Sequence, residues 1–184
     1  MSFIHFDTKL YRIGNWTILR LPEESSAQLP SRGQTMVEAT INGYTFQTPL
    51  EPDGQWSHWL HINQDLSQKI KAGPDKRVSV DMQPINTWTE PAVPSDILQA
   101  LSAHPKAKAL WQAITPLARW EWVRWIRSTA NQTTRLKRIE VACSKLENGK
   151  RRPCCWNRNL CSEPSVCKSG VLHKPRTLET NLVS

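Results

Sequence analysis

Hydrophobic and polar positions alternate through the first half of the chain and recur every three or four residues through the second. Ile4, Phe6, Thr8 and Leu10 alternate with His5, Asp7 and Lys9, the two-residue period of a half-buried strand. Gly14-Asn15 breaks the run, and Trp16, Ile18 and Leu21 open a second strand closed by Pro22. Thr35–Ile41 and Tyr44–Leu50 flank Asn42-Gly43, a pair that accepts the positive φ angles of a tight type I′ hairpin turn. Pro52-Asp53-Gly54 marks the next turn. Trp56, His58, Leu60 and Ile62 then alternate with Ser57, Trp59 and His61. Residues 65–72 read as a short amphipathic helix, and Arg77–Met82 as a further strand. Strands this short, with turns this close together, predict a small β-barrel over residues 1–85.

Pro84, Pro91 and Pro94 change the pattern, because proline and the residue before it disfavour helix. Residues 86–94 therefore read as a proline-rich linker. Helical periodicity follows over 95–152. Ser95 and Pro105 open two short helices, and Thr115-Pro116 supplies a hydroxyl cap with proline at the first helical position. In that third helix Ala118, Trp122, Val123, Trp125 and Ile126 share one face; Leu117, Trp120, Glu121, Arg124 and Arg127 share the other. A last helix carries the stripe Leu136, Ile139, Cys143 and Leu146 and ends at Asn148-Gly149. Residues 153–184, interrupted by Pro153, Pro164 and Pro175, read as a poorly ordered cysteine-containing tail. The fold class is α+β, a barrel followed by a helical domain.

Charge adds one feature to this plan. Residues 119–152 hold ten Lys or Arg against three acids, which is +7 of the chain's formal +8. Such a segment dominates the long-range field and favours an anionic partner, nucleic acid first. The candidate binding residues are Arg119, Trp120, Arg124, Arg127, Arg135, Lys137, Arg138, Arg151 and Arg152. The structural alternative is a solvated helix face whose arginine stems cover a tryptophan. A second candidate site is a barrel pocket for a small molecule or peptide, rimmed by Trp56, His58, Trp59 and His61. A third reading is a protein-interaction factor using the basic face.

The search for chemistry finds no phosphate-binding loop, dinucleotide fingerprint, nucleophile elbow or zinc-protease motif, so no enzymatic activity and no cofactor are expected. His58 and His61 point to opposite faces of a strand and cannot grip one metal; they are expected partly exposed on the barrel. Cys154, Cys155, Cys161, Cys167 and His173 lack the close cysteine pair of structural zinc sites, so no metal is expected either. The opening residues lack a basic stretch followed by an apolar one, and no apolar run is long enough to span a bilayer. A cytoplasmic location with free thiols is the expectation. Cys154, close to Arg151 and Arg152, reads either as a thiol of lowered pKa or as a bystander.

The stretches VPSDILQAL, LWQAITPLARWEWVRWI and TTRLKRIEVACSKLENGKRRPCC together resemble the bacterial YdeI/OmpD-associated family, also called bacteriocin-protection proteins. The first 85 residues look like the small β-barrel domain of unknown function often fused ahead of it, although Gly73-Pro74-Asp75 replaces the usual turn. The resemblance implies a link to stress or bacteriocin resistance. It carries over no catalytic residue.

Overall fold

The computed structural model describes residues 3–175. Seven antiparallel strands form one curled sheet, a half-barrel, in the order β1-β7-β4-β5-β6-β3-β2. Their spans are β1 Ile4–Lys9, β2 Tyr11–Ile13, β3 Trp16–Arg20, β4 Thr35–Ile41, β5 Tyr44–Pro52, β6 His58–Ile62 and β7 Arg77–Pro84. Two short helices lie between strands, α1 at Glu23–Ser26 and α2 at Gln64–Ile70. Asn42 and Gly43 sit at φ of 47° and 85°, so the β4–β5 hairpin turns as its sequence predicts. β5 is the longest strand because it serves two partners. Residues 44–50 pair with β4, and Glu51 and Pro52 pair with Trp59 and His58 of β6. The concave face buries Ile4, Leu19, Val37, Ile41, Leu60 and Val80 among others.

The helical unit contains α3 Ser95–Ala103, α4 Pro105–Ala113, α5 Pro116–Arg127 and α6 Gln132–Glu147. Thr115 caps α5 by accepting from the Ala118 amide, with Pro116 at the first position. Ser95 lies inside α3, which starts after Pro94 without a side-chain cap. Ile97, Leu101, Trp111, Trp122, Ile126 and Leu146 fill this unit's own core. No helix among the described residues is long and apolar enough to cross a membrane.

Residues 153–175 correct the expectation of a loose tail; residues 176–184 lie outside the described part. This segment packs on the convex side of the half-barrel. Val166, Cys161 and Leu172 bury the outward side chains Ile13, Ile18 and Trp59. Strands β8 Cys167–Lys168 and β9 Val171–Leu172 form a small hairpin. The Leu172 amide donates to the Asp53 carbonyl at 2.8 Å, and the Cys161 amide to that of Gly170 at 2.8 Å. Gly54, at φ 78°, lies so close beneath Gly170 that a Cβ there would overlap the Gly170 carbonyl. The physical reason for the docking is that this end of the sheet is apolar on both faces, so its outer face needs a cover. Free thiols were expected throughout; instead Cys161 and Cys167 are bonded to each other, while Cys143, Cys154 and Cys155 are free.

If the segment is a true cover, Ile18→Ala on the convex face should cost about 2–5 kcal/mol of unfolding free energy in urea, as for a core position. Trp56→Ala, at a side chain 75% exposed, should stay within about 0.5 kcal/mol of wild type.

Candidate functional site

The junction of half-barrel, helical unit and tail is built on one carboxylate. Glu51 enters it from the point where β5 changes partners. Its Oε2 accepts from Arg124 Nε at 2.9 Å, and its Oε1 from Arg127 Nη2 at 2.6 Å and Gln34 Nε2 at 2.9 Å. Arg124 is only 1% exposed. One buried and one half-buried guanidinium carry more donors than one carboxylate can accept, and an unmatched buried donor costs about 1–3 kcal/mol. The tail supplies further acceptors, although Arg127 Nε remains buried without a partner. Ser162 Oγ receives both arginines at 3.3 Å, and the Arg158 and Leu160 carbonyls receive Arg124 Nη2 at 3.4 and 3.2 Å. The Trp156 ring lies 5.0 Å from the Arg124 guanidinium carbon, a cation–π contact. Burial alone would raise the Glu51 pKa, but Arg127 and Arg124 outweigh it and hold it below the ordinary 4.5.

Beside this cluster a cleft of about 440 Å³ opens between the half-barrel and α5. Trp88, Ile85, Met36 and Leu117 supply apolar wall, and Gln34, Glu121, Arg124, Arg152, Arg158 and Asn159 supply polar groups. Glu121 is 5% exposed. Arg158 Nε and Arg152 Nη1 approach its Oε1 at 3.3 and 3.5 Å, while its Oε2 has no hydrogen-bond partner. Burial pushes the Glu121 pKa up, against the pull of Arg152, Arg158 and Arg124. Gln34 Oε1 is likewise buried without a partner. Three guanidiniums therefore line the cleft with one carboxylate, in a site that also offers unmatched acceptors.

The nine basic-segment candidates do not assemble into one face. Arg124 and Arg127 belong to the buried cluster, where Arg124 cannot reach a polyanion. Arg119 donates to the carbonyls of Trp111, Gln112 and Ile114, closing the end of α4, and pairs with Glu90 at 2.6 Å. Arg138 closes α5 on the Trp125 carbonyl at 2.8 Å. Arg135 holds Asp96 of α3 at 2.8 and 3.0 Å. Trp120 donates to the Thr89 carbonyl and fixes the linker against α5. Lys137, Arg151 and Arg152 are exposed, and of these Arg152 lines the cleft. Arg158 and Glu121 were missed as site residues. The one available signal was Glu121 on the face of α5 that carries Arg124.

The barrel-pocket candidates also separate. Trp56 is exposed in a turn at φ 72°, outside β6. His58, expected partly exposed, is fully buried. Its Nε2 lies 2.8 Å from the Gly33 carbonyl and its Nδ1 2.7 Å from Ser26 Oγ, so a neutral ring carrying its proton on Nε2 satisfies both. Burial lowers its pKa and favours that neutral state. Trp59 lies under the tail, and His61 stacks on Trp16 at 4.0 Å. These four side chains line no common cavity. A second cavity of about 330 Å³ lies elsewhere, lined by Tyr11, Arg20, Gln55 and Leu172. Among the described residues, no three His, Cys, Asp or Glu side chains gather as metal ligands.

Residues 90–149 match the family described as Bacteriocin-protection, YdeI or OmpD-Associated. Residues 6–82 match a model described as Domain of unknown function (DUF1905). The two matches fall on the helical unit and the half-barrel, the pairing that the sequence resemblance implied. No curated protein matches the chain.

The two buried glutamates should titrate stability in opposite senses. Glu51 has a lowered folded pKa, so its contribution is complete above the ordinary value near 4.5 and is lost as pH falls through the folded value. Glu121 has a raised folded pKa, so its contribution is complete below 4.5 and is lost as pH rises through the folded value. Urea unfolding of Glu51→Gln at pH 7 should show a loss of about 3–5 kcal/mol, because the buried Arg124 and the half-buried Arg127 lose their counter-charge. Glu121→Gln should match or exceed wild type at pH 7 and lack the decline that wild type shows just above pH 4.5.

Proposed function

We propose that this chain, a domain of unknown function joined to a bacteriocin-protection type unit, is a binding module and not an enzyme, and that it holds a small anionic ligand in the cleft between its two units. The observation that carries this reading is the rim. The side chains of Arg152 and Arg158 remain 43% and 46% exposed and share one oxygen of a buried carboxylate. Neither guanidinium has its donors filled by that contact, and a guanidinium matches a carboxylate or phosphate in two parallel hydrogen bonds. The surplus positive charge around the cleft favours an anion, and the low-dielectric walls strengthen the attraction. Trp88 and its apolar neighbours bury the uncharged part of such a ligand. The volume suits a small molecule and is too confined for a duplex.

Nucleic acid is the second reading within the same class, supported by the chain's net charge. It is weakened by the buried role of Arg124, the helix-capping roles of Arg119 and Arg138, and the pairing of Arg135 with Asp96. Small carboxylates and phosphates, and single- and double-stranded nucleic acids, should be titrated against the protein by calorimetry at about 50 and 200 mM salt. The expected result is saturable binding of a small anion. Arg152→Gln with Arg158→Gln should weaken it by about tenfold or more per arginine, the loss of a charge-assisted hydrogen bond each. Binding that is confined to nucleic acid, or that survives both substitutions, would overturn the cleft reading.

A further inference from the structure

The three free thiols among the described residues occupy different surroundings, and none lines the cleft. Cys143 is 2% exposed in the core of the helical unit, where burial raises its pKa. Cys154 and Cys155 are exposed in the turn that follows α6. That turn is pinned at both sides. Pro153 is buried before it, and Trp156 packs on Arg124 after it. Cys155 takes φ 57°, in the left-handed region that non-glycine residues seldom adopt. The two adjacent thiols are thus presented to solvent by a fixed backbone.

Lys145, in the last turn of α6, completes a three-group cluster. Its ammonium donates to Cys154 Sγ at 2.7 Å. A cation in that position stabilises the thiolate, the form that attacks disulfides and electrophiles. The hydrogen bond from Lys145 lowers the Cys154 pKa most, and contact with Cys155 adds to it. Cys155 is also exposed, and among the described residues no lysine or arginine donates to its sulfur. The chain therefore holds one thiol paired with an ammonium, a second exposed thiol next to it, and one buried thiol that serves as an internal reference.

We propose that Cys154 is a modification site that takes low-molecular-weight disulfides as mixed disulfides. The Cys154 thiolate attacks one sulfur of the small disulfide. A new bond forms between that sulfur and Cys154, the original sulfur–sulfur bond breaks, and the second sulfur leaves with the electron pair as a thiolate that takes a proton from water. The small disulfide is the oxidant and no other co-reactant is needed. Lys145 is a positioning residue that holds the nucleophile as its thiolate. Because the cluster lies outside the cleft, this reactivity stands independently of the ligand reading above.

The test uses the full chain and oxidised glutathione, with intact-mass and non-reducing peptide mapping from pH 6 to 9. One adduct should form first, on Cys154, and Cys143 should remain unmodified. For each unit by which a thiol pKa lies below its ordinary value, tenfold more thiolate at neutral pH outweighs an about threefold loss of intrinsic nucleophilicity. Lys145→Gln should therefore slow the reaction at pH 7 and lose that deficit, or reverse it, at high pH, where both thiols are ionised and the more basic thiolate is the better nucleophile. Lys145→Arg should restore most of the rate, and Cys155→Ser should keep the adduct. Equal labelling of Cys154 and Cys155, an unchanged rate in Lys145→Gln at pH 7, or no adduct on Cys154 would each overturn the proposal.

Discussion

One buried carboxylate facing two guanidiniums constrains the whole molecule. Glu51 cannot satisfy Arg124 and Arg127 alone, and burying unmatched charge costs more than a single fold contact returns. Most of the excess donors find acceptors only when a third segment brings in Ser162 and the Arg158 and Leu160 carbonyls, and Arg127 Nε stays buried without a partner. β5, α5 and the segment after Pro153 are thereby fixed to each other at one point. That is why a chain with two separate apolar cores has a defined cleft between them.

The cleft inherits its chemistry from this arrangement. The tail loop that gives its carbonyls to Arg124 also presents Arg158 and Asn159 to the cleft. α5 contributes Arg124 to the cluster and Glu121 to the cleft, three residues apart on one helix face. The two glutamates then differ for a clear reason. Glu51 accepts three short hydrogen bonds and stays ionised. Glu121 is buried with one oxygen unmatched, and its charge is disfavoured. A destabilised charge in a concave, cationic site is the kind of local cost that binding sites retain.

Local patterns were legible in the sequence, and long-range pairings were not. The Asn42-Gly43 hairpin, the Thr115-Pro116 start of α5 and the buried Ile139, Cys143 and Leu146 of α6 depend on neighbours within a few residues, whereas Leu136, read into the same stripe, is 50% exposed. The family resemblance is local in the same way, since it follows the order of those elements. The polar stripe of α5 reads as a solvated face because its partner, Glu51, lies 73 residues away. The basic segment misleads for the same reason: Arg119 and Arg138 spend their donors on helix ends, and Arg135 on Asp96. The tail's order was signalled only indirectly, by Ile18 and Trp59 facing away from the concave core. Its own apolar residues, such as Val166 and Leu172, are too few and too scattered for a periodic pattern.

The central claim is that one ion cluster makes the three segments a single cooperative unit. Native-state hydrogen exchange of the intact chain, followed by mass spectrometry across a low-denaturant series, tests it most directly. The account predicts that amides of β5, α5 and residues 158–172 lose protection together in wild type. In Arg124→Met, residues 158–172 should open at lower denaturant than the rest. Early, independent exchange of residues 158–172 in wild type, or an unchanged pattern in the variant, would contradict it.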